Sequence, residues 1–97
     1  MITKPKGTVD ITGTDGIIWE YIDSVVSNMM SNYNYEYIRT PIFEASELFH
    51  RSVGSTSDIV KKETYDFKDK GDRDLTLRPE GTAGVVRSYI ENKMYGD

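Results

Sequence analysis

The clearest pattern in the chain is a series of apolar residues spaced by three and four positions. Its members are Ile18, Ile22, Val25 and Met29. Apolar residues that repeat every 3.6 positions form one face of an α-helix. The pattern predicts an amphipathic helix over residues 14–31, with Thr14 or Asp15 as its N-cap. The Asn-Tyr-Asn stretch at 32–34 is expected to end it.

The strands are predicted where successive side chains would point to opposite faces of a sheet. Residues 35–43 alternate in this way, and Pro41 marks an edge or an end of that strand because proline cannot donate to a β-ladder. Residues 65–68 and 75–78 alternate similarly, and the Asp-Lys-Gly-Asp stretch at 69–72 between them has turn-forming residues. These two segments therefore predict a hairpin.

Two further helices complete the order of elements. Residues 46–52 predict a short helix with Ser46 as its cap, and residues 58–62 another helical turn after a loop at 53–57. A last helix is predicted to start near Gly81 or Thr82. Its expected buried face comprises Val85, Val86, Tyr89, Ile90 and Met94. The order predicts an α+β fold, a mainly antiparallel sheet flanked by helices.

Composition narrows the classes of function. The 97 residues suffice for one small domain, and residues 1–13 are expected to form an extended arm with one short strand. No cysteine is present, which excludes a disulfide framework and a thiolate metal site, and the single histidine excludes a multi-histidine site. No apolar run is long enough to span a membrane, and we expect a cytoplasmic protein without a secretory leader. The net charge of −4 argues against a self-sufficient nucleic-acid binder.

Several polar residues have ordinary interpretations. His50 is expected on the surface of the short helix, without a catalytic partner. The basic residues Lys68, Lys70 and Arg73 alternate with acidic ones, which favours solvated faces.

The segment at 75–82 is the main candidate for chemistry. A strand ends at Pro79 and a helix begins two residues later, with a carboxylate, a glycine and a hydroxyl between them. Glu80 and Thr82 could hold a small ammonium group there, and Gly81 would let a ligand approach the main chain. The alternative is an ordinary capped helix, with Glu80 near the positive end of the helix dipole.

The string from Thr76 to Ala83, Thr-Leu-Arg-Pro-Glu-Gly-Thr-Ala, resembles the histidyl-tRNA synthetase family. The residues 6–10 resemble that family's N-terminal strand, and 35–43 is similar to motif 1 of class II aminoacyl-tRNA synthetases. Residues 48–51 and 58–67 follow the family's order and spacing. The resemblance covers almost the whole chain, and Arg-Pro-Glu-Gly-Thr is its specific part.

The resemblance implies an enzyme that activates histidine with ATP and magnesium and then esterifies its tRNA. Glu80, Gly81 and Thr82 would line the histidine pocket, with Glu80 and Thr82 on the α-ammonium, while Arg78 would brace the strand end. Pro41 would belong to the motif 1 region, about residues 14–43, through which two subunits form a homodimer. The histidine-pocket segment would span about residues 74–94. No catalytic residue and no metal ligand is expected within the chain.

The family is several times longer than this chain. We therefore expect residues 1–97 to be the N-terminal part of the catalytic domain. The arginines of motifs 2 and 3, which would stabilise charge on the ATP phosphates, have no counterpart here, so the chain alone is expected to be inactive. Two alternatives stay open: a regulatory paralogue of histidine biosynthesis that senses histidine, and a non-catalytic interaction module.

Overall fold

The structure is a computed structural model that describes residues 1–50 and 63–96. Its elements belong to two units, Met1–Tyr37 and Ile38–Asp97. The expected loop at 53–57 and helical turn at 58–62 lie outside the described residues.

The first unit contains helix α1, Gly13–Asn32, and confirms the helix expected from the apolar spacing. Its N-cap is Thr12 rather than Thr14 or Asp15, and Thr12 makes no side-chain capping bond. Gly13, the first residue of the helix, has a φ of 57°, which glycine adopts without strain where the chain enters the helix. The helix ends as expected, and Asn34 just beyond it has a left-handed φ of 66°. Within this described stretch, no residue of α1 is buried.

The N-terminal arm lacks the short strand that the sequence suggested. Among the described residues, 1–12 contain no strand, and the local structure is a turn in which the Thr8 backbone and hydroxyl both donate to Pro5 O, at 3.2 and 2.6 Å. A strand needs a neighbouring strand for its backbone groups, and the described residues of the first unit form no strand that could pair with this arm.

The second unit contains a three-stranded antiparallel sheet in the order β1-β3-β2. Its strands are β1, Phe43–Ala45; β2, Asp66–Lys68; and β3, Asp74–Leu77. The β2–β3 hairpin confirms the sequence prediction. Asp69 organises its turn by accepting hydrogen bonds from the backbone N–H groups of Gly71 and Arg73, both at 2.9 Å, and these bonds help to lower the pKa of Asp69.

The strand expected over 35–43 is much shorter in the structure. β1 begins only at Phe43 because its partner β3 has four residues and the register pairs Phe43 with Leu77, the last of them. One further backbone bond, from Arg78 N to Ile42 O at 2.9 Å, continues the contact toward Pro41. Residues before this point have no partner strand among the described residues.

Among the described residues of this unit, two helices accompany the sheet: α2, Ser46–Phe49, and α3, Thr82–Glu91. The start of α3 is as expected, but its predicted buried face is wrong: Gly84 is its buried residue, and its larger apolar side chains are all exposed, while Met94 lies beyond the helix. Ser46 is the first residue of α2 rather than its cap, which is Ala45.

A row of polar side chains crosses one face of the sheet. The register places Glu44 of β1 and Asp66 of β2 directly opposite Thr76 of β3, and residues that are directly opposite point to the same face. We call Glu44, Thr76 and Asp66 the polar row. Thr76 has no exposed surface, whereas Leu77, on the other face, is 40% exposed. The covered face of this sheet is therefore the polar one.

Helix α2 is fixed to the polar row by hydrogen bonds. Thr76 Oγ1 donates to Asp66 Oδ1 at 2.6 Å and lies 2.7 Å from Ser46 Oγ. Because the Thr76 hydroxyl has a single proton and a carboxylate only accepts, Ser46 donates to Thr76 while Thr76 donates to Asp66. At the other end of α2, His50 Nε2 lies 3.4 Å from Asp66 Oδ1. Both ends of α2 are thus linked to Asp66, the first through Thr76 and the last through His50.

The hydroxyl of Thr76 should contribute measurably to folding. In Thr76→Val the side chain keeps its shape, but Asp66 and Ser46 lose their shared partner, so we expect the free energy of unfolding to fall by about 1–3 kcal/mol. The control Thr76→Ser keeps the hydroxyl and should lose less, about 1 kcal/mol for the missing methyl group. Urea unfolding measures both, and a valine variant as stable as the parent would contradict this role.

Candidate functional site

Glu80 lies immediately before α3 and accepts hydrogen bonds from its first backbone N–H groups. Glu80 Oε2 accepts from Thr82 N, and the two carboxylate oxygens share Ala83 N at 3.2 and 3.3 Å. These donors belong to the first turn of the helix, where backbone N–H groups lack partners within the helix. Glu80 therefore has the capping geometry that the sequence offered as one of two interpretations.

The capping role leaves Glu80 able to bind a second group. An ionised carboxylate has about four lone-pair sites, and two backbone donors do not fill them. Glu80, Gly81 and Thr82 are all exposed. A helix N-terminus by itself favours anions, so a cation can bind there only beside a negative charge such as this carboxylate. Capping and ammonium binding are therefore compatible in one side chain.

Gly81 provides open space at this point. It has an ordinary right-handed φ of −97°, and a Cβ built on it would meet no atom of the described residues within 4 Å. Its backbone geometry does not require glycine.

Arg78 connects the end of β3 to the segment before β1. Its backbone N–H donates to Ile42 O at 2.9 Å and its Nη1 donates to Thr40 O at 3.3 Å. These contacts lie on both sides of Pro41 in sequence, and the bracing role of Arg78 stays a prediction. Pro41 itself lies two residues before β1.

Sequence reasoning missed the ion pair that holds α3 against the sheet. Arg87 donates from Nε to Glu44 Oε1 at 3.1 Å and from Nη2 to Glu44 Oε2 at 2.9 Å, which is a two-bond fork. The Glu44 side chain is only 9% exposed. Hydrogen bonding to Glu44 raises the pKa of Arg87, so the guanidinium of Arg87 stays charged. The glutamate and arginine are 43 positions apart, so only the folded structure could identify the pair.

His50 is not the surface residue that the sequence suggested. Its side chain is 11% exposed because the end of α2 lies beside Asp66. Its Nδ1 is buried and has no hydrogen-bond partner among the described residues. Within residues 1–50 and 63–96, no cluster of three or more acidic, histidine or cysteine side chains is arranged to hold a metal ion. No helix in this part of the chain is long and apolar enough to cross a membrane.

Comparison with known proteins identifies the family. A family model described as histidyl-tRNA synthetase matches residues 18–95. The chain belongs to the histidyl-tRNA synthetase family. Histidine–tRNA ligase of Macrococcus caseolyticus is 62% identical over 97 residues, which is all of this chain and 23% of that protein. The ligase of Staphylococcus epidermidis is 61% identical over the same coverage.

Solved structures agree with the fold. The structure of apo histidyl-tRNA synthetase from S. aureus matches with a TM-score of 0.83 and 52% identity, over 100% of this chain and 22% of that one. This match confirms the expected α+β arrangement with an antiparallel sheet. A structure titled as an ATP phosphoribosyltransferase regulatory subunit/histidyl-tRNA synthetase from Bacillus halodurans matches with a TM-score of 0.73 at 24% identity, which shows a shared fold. The chain thus spans less than a quarter of the length of these synthetase relatives.

The polar row should make the free energy of unfolding depend on pH. The hydrogen bond from Thr76 is the largest influence that lowers the pKa of Asp66 below its ordinary value of 3.8. A carboxyl group with a lowered pKa in the folded state adds stability above its unfolded pKa, and this contribution is lost as the pH falls through the folded value. We expect the stability advantage of the parent over Asp66→Asn to shrink below about pH 4.

Urea unfolding at a series of pH values measures this difference. Thr76→Val should weaken the same dependence, because it removes the bond that lowers the pKa. An advantage over Asp66→Asn that stays constant down to about pH 2 would contradict the assignment.

Proposed function

We propose that this chain is part of a histidine–tRNA ligase that activates histidine with ATP and transfers it to its tRNA. Identity of 62% along the whole chain to such a ligase is the observation that supports this most strongly. Within the enzyme, the chain would supply part of the histidine pocket and the motif 1 region, as the N-terminal part of the catalytic domain.

In this proposal Glu80 receives the α-ammonium of histidine. The carboxylate is held in place by the N–H groups of Thr82 and Ala83, so little side-chain freedom is lost when the substrate binds. The Thr82 hydroxyl, at the first position of α3, is the second acceptor for the ammonium. Gly81 leaves room for the substrate backbone between them.

The remaining chemistry belongs to other parts of the enzyme. Charge develops on the α-phosphate of ATP during adenylate formation, and basic groups or magnesium must stabilise it. No residue identified here binds ATP or magnesium. Motif 1, with α1 and Pro41, would contribute to a homodimer. We expect the 97-residue chain alone to give no histidine-dependent exchange between ATP and pyrophosphate.

The two alternatives predict different ligand behaviour. A regulatory paralogue would bind histidine without using ATP, and a non-catalytic interaction module would bind neither. The intact Arg-Pro-Glu-Gly-Thr string supports the synthetase over both.

Calorimetric titration of histidine into the full-length protein, with and without Glu80→Gln, tests the pocket. Glutamine keeps an oxygen that can accept the Thr82 N–H but lacks the charge. Loss of the charge-assisted contact should cost about 1.5–3 kcal/mol, which is a loss of affinity of roughly 10- to 150-fold. Equal affinity in both proteins would contradict the role of Glu80. Histidine binding without histidine-dependent exchange would instead favour the regulator.

Gly81→Ala provides a second test that does not disturb the cap. The new methyl group meets no atom of the described residues, so stability should be unchanged, but it would occupy the space proposed for histidine. We expect weaker histidine binding with an unchanged melting temperature.

The matched control for this substitution is Gly71→Ala in the hairpin turn. The added methyl group there meets only ordinary contacts at 3.4 Å. Histidine affinity should not change in this control. If Gly81→Ala binds histidine as well as Gly71→Ala does, the pocket does not include Gly81.

A further inference from the structure

The ion pair between Arg87 and Glu44 holds helix α3 against the sheet. The fork between Arg87 and Glu44 fixes both the distance and the orientation of the guanidinium relative to β1, because two parallel bonds allow little rotation. Glu44 is nearly buried, so water does not compete effectively for its oxygens. A second carboxylate, Glu91, accepts from Arg87 Nη1 at 2.8 Å but is 67% exposed.

Gly84 sets how closely α3 approaches the same strand. A Cβ built on this buried glycine would lie 3.0 Å from Glu44 Oε2 and 3.3 Å from Thr40 Oγ1. Both distances are shorter than ordinary contacts, and Glu44 cannot easily move because Arg87 holds it. A methyl group at Gly84 would therefore require Glu44 and Thr40 to move by a few tenths of an ångström.

These contacts lie next to the start of α3. At 1.5 Å per residue, Gly84 lies about 3 Å along the helix axis from Thr82, and Arg87 about 7.5 Å. A helix is rigid over such a length, so a shift at Gly84 or Arg87 also moves Thr82 and the backbone N–H groups that hold Glu80.

We propose that Glu44, Gly84 and Arg87 form a positioning device for the ammonium-binding end of α3. The three residues touch no substrate, and they act by fixing where Glu80 and Thr82 lie. This inference rests on the proposed histidine pocket. According to this inference, histidine recognition also depends on Glu44 of β1 and on Gly84 and Arg87 of α3.

Steady-state kinetics of the full-length protein tests the device. Arg87→Lys keeps the charge but cannot form the fork. Glu44→Gln removes the charge from the other partner. A displacement of about 1 Å can cost on the order of 100-fold, so we expect both variants to raise the KM for histidine at least tenfold. The KM for ATP should change less than about twofold, since no residue identified here binds ATP.

The matched control is Glu91→Gln, which removes the other carboxylate bound to Arg87 and leaves the fork with Glu44 intact. Both KM values should stay as in the parent. Equal increases in the KM for histidine and for ATP, or an effect of Glu91→Gln as large as that of Glu44→Gln, would overturn the proposal.

A second measurement does not depend on activity. Hydrogen exchange followed by mass spectrometry reports the protection of backbone N–H groups at the start of α3. In Gly84→Ala and Arg87→Lys, peptides covering residues 81–84 should exchange faster, while those of the β2–β3 hairpin should not change. Uniform loss of protection in both regions, or none in either, would overturn the positioning role.

The two measurements separate this inference from the proposed function. If the parent protein neither binds nor uses histidine, the proposed function fails. The exchange experiment still decides whether Glu44, Gly84 and Arg87 fix the start of α3.

Discussion

The second unit depends on the polar row that crosses its sheet. A three-stranded sheet with short strands buries little apolar surface, and Phe49 is the apolar side chain that the described residues bury most clearly. Among the described residues, hydrogen bonds and the ion pair between Arg87 and Glu44 fix the helices to the sheet. Asp66 and Thr76 hold α2, and Glu44 holds α3. Buried polar groups stabilise a structure only when each has a partner, so this arrangement fixes one geometry closely.

The contacts of Glu44 and Arg78 fix the two segments that flank the candidate site. Glu44 lies on β1, and Arg78 joins the end of β3 to the segment before β1. The strand end before Glu80 and the helix after it are therefore both fixed to the same edge strand. A substrate ammonium would then meet a carboxylate and a hydroxyl whose positions are set before it binds, which reduces the entropy lost on binding.

Sequence reasoning predicted those features that depend on neighbouring residues. The apolar spacing located α1, the alternation and turn residues located the β2–β3 hairpin, and the start of α3 was expected near Gly81 or Thr82, where it lies. Features that depend on distant pairing were missed. The length of β1 follows from the length of β3, and the burial of Thr76 follows from helices that cover the polar face.

The buried side of α3 was predicted wrongly for a related reason. Periodicity identifies an apolar face, but it does not say which face meets the sheet. Here Gly84 and Arg87 face β1 because the ion pair and the close backbone approach decide the packing, and Val86 and Ile90 stay exposed. The site residues Glu80, Gly81 and Thr82 came from a local string together with a family resemblance, and neither depends on long-range pairing.

The central claim is that Glu80 caps α3 and recognises an ammonium group with the same carboxylate. The most direct measurement compares the binding of histidine with that of imidazole propionate, which lacks the α-amino group, in the full-length protein and in Glu80→Gln. The account predicts that the parent prefers histidine by roughly 10-fold or more and that the variant loses this preference. The same preference for histidine in both proteins would contradict the account, because another group would then bind the ammonium.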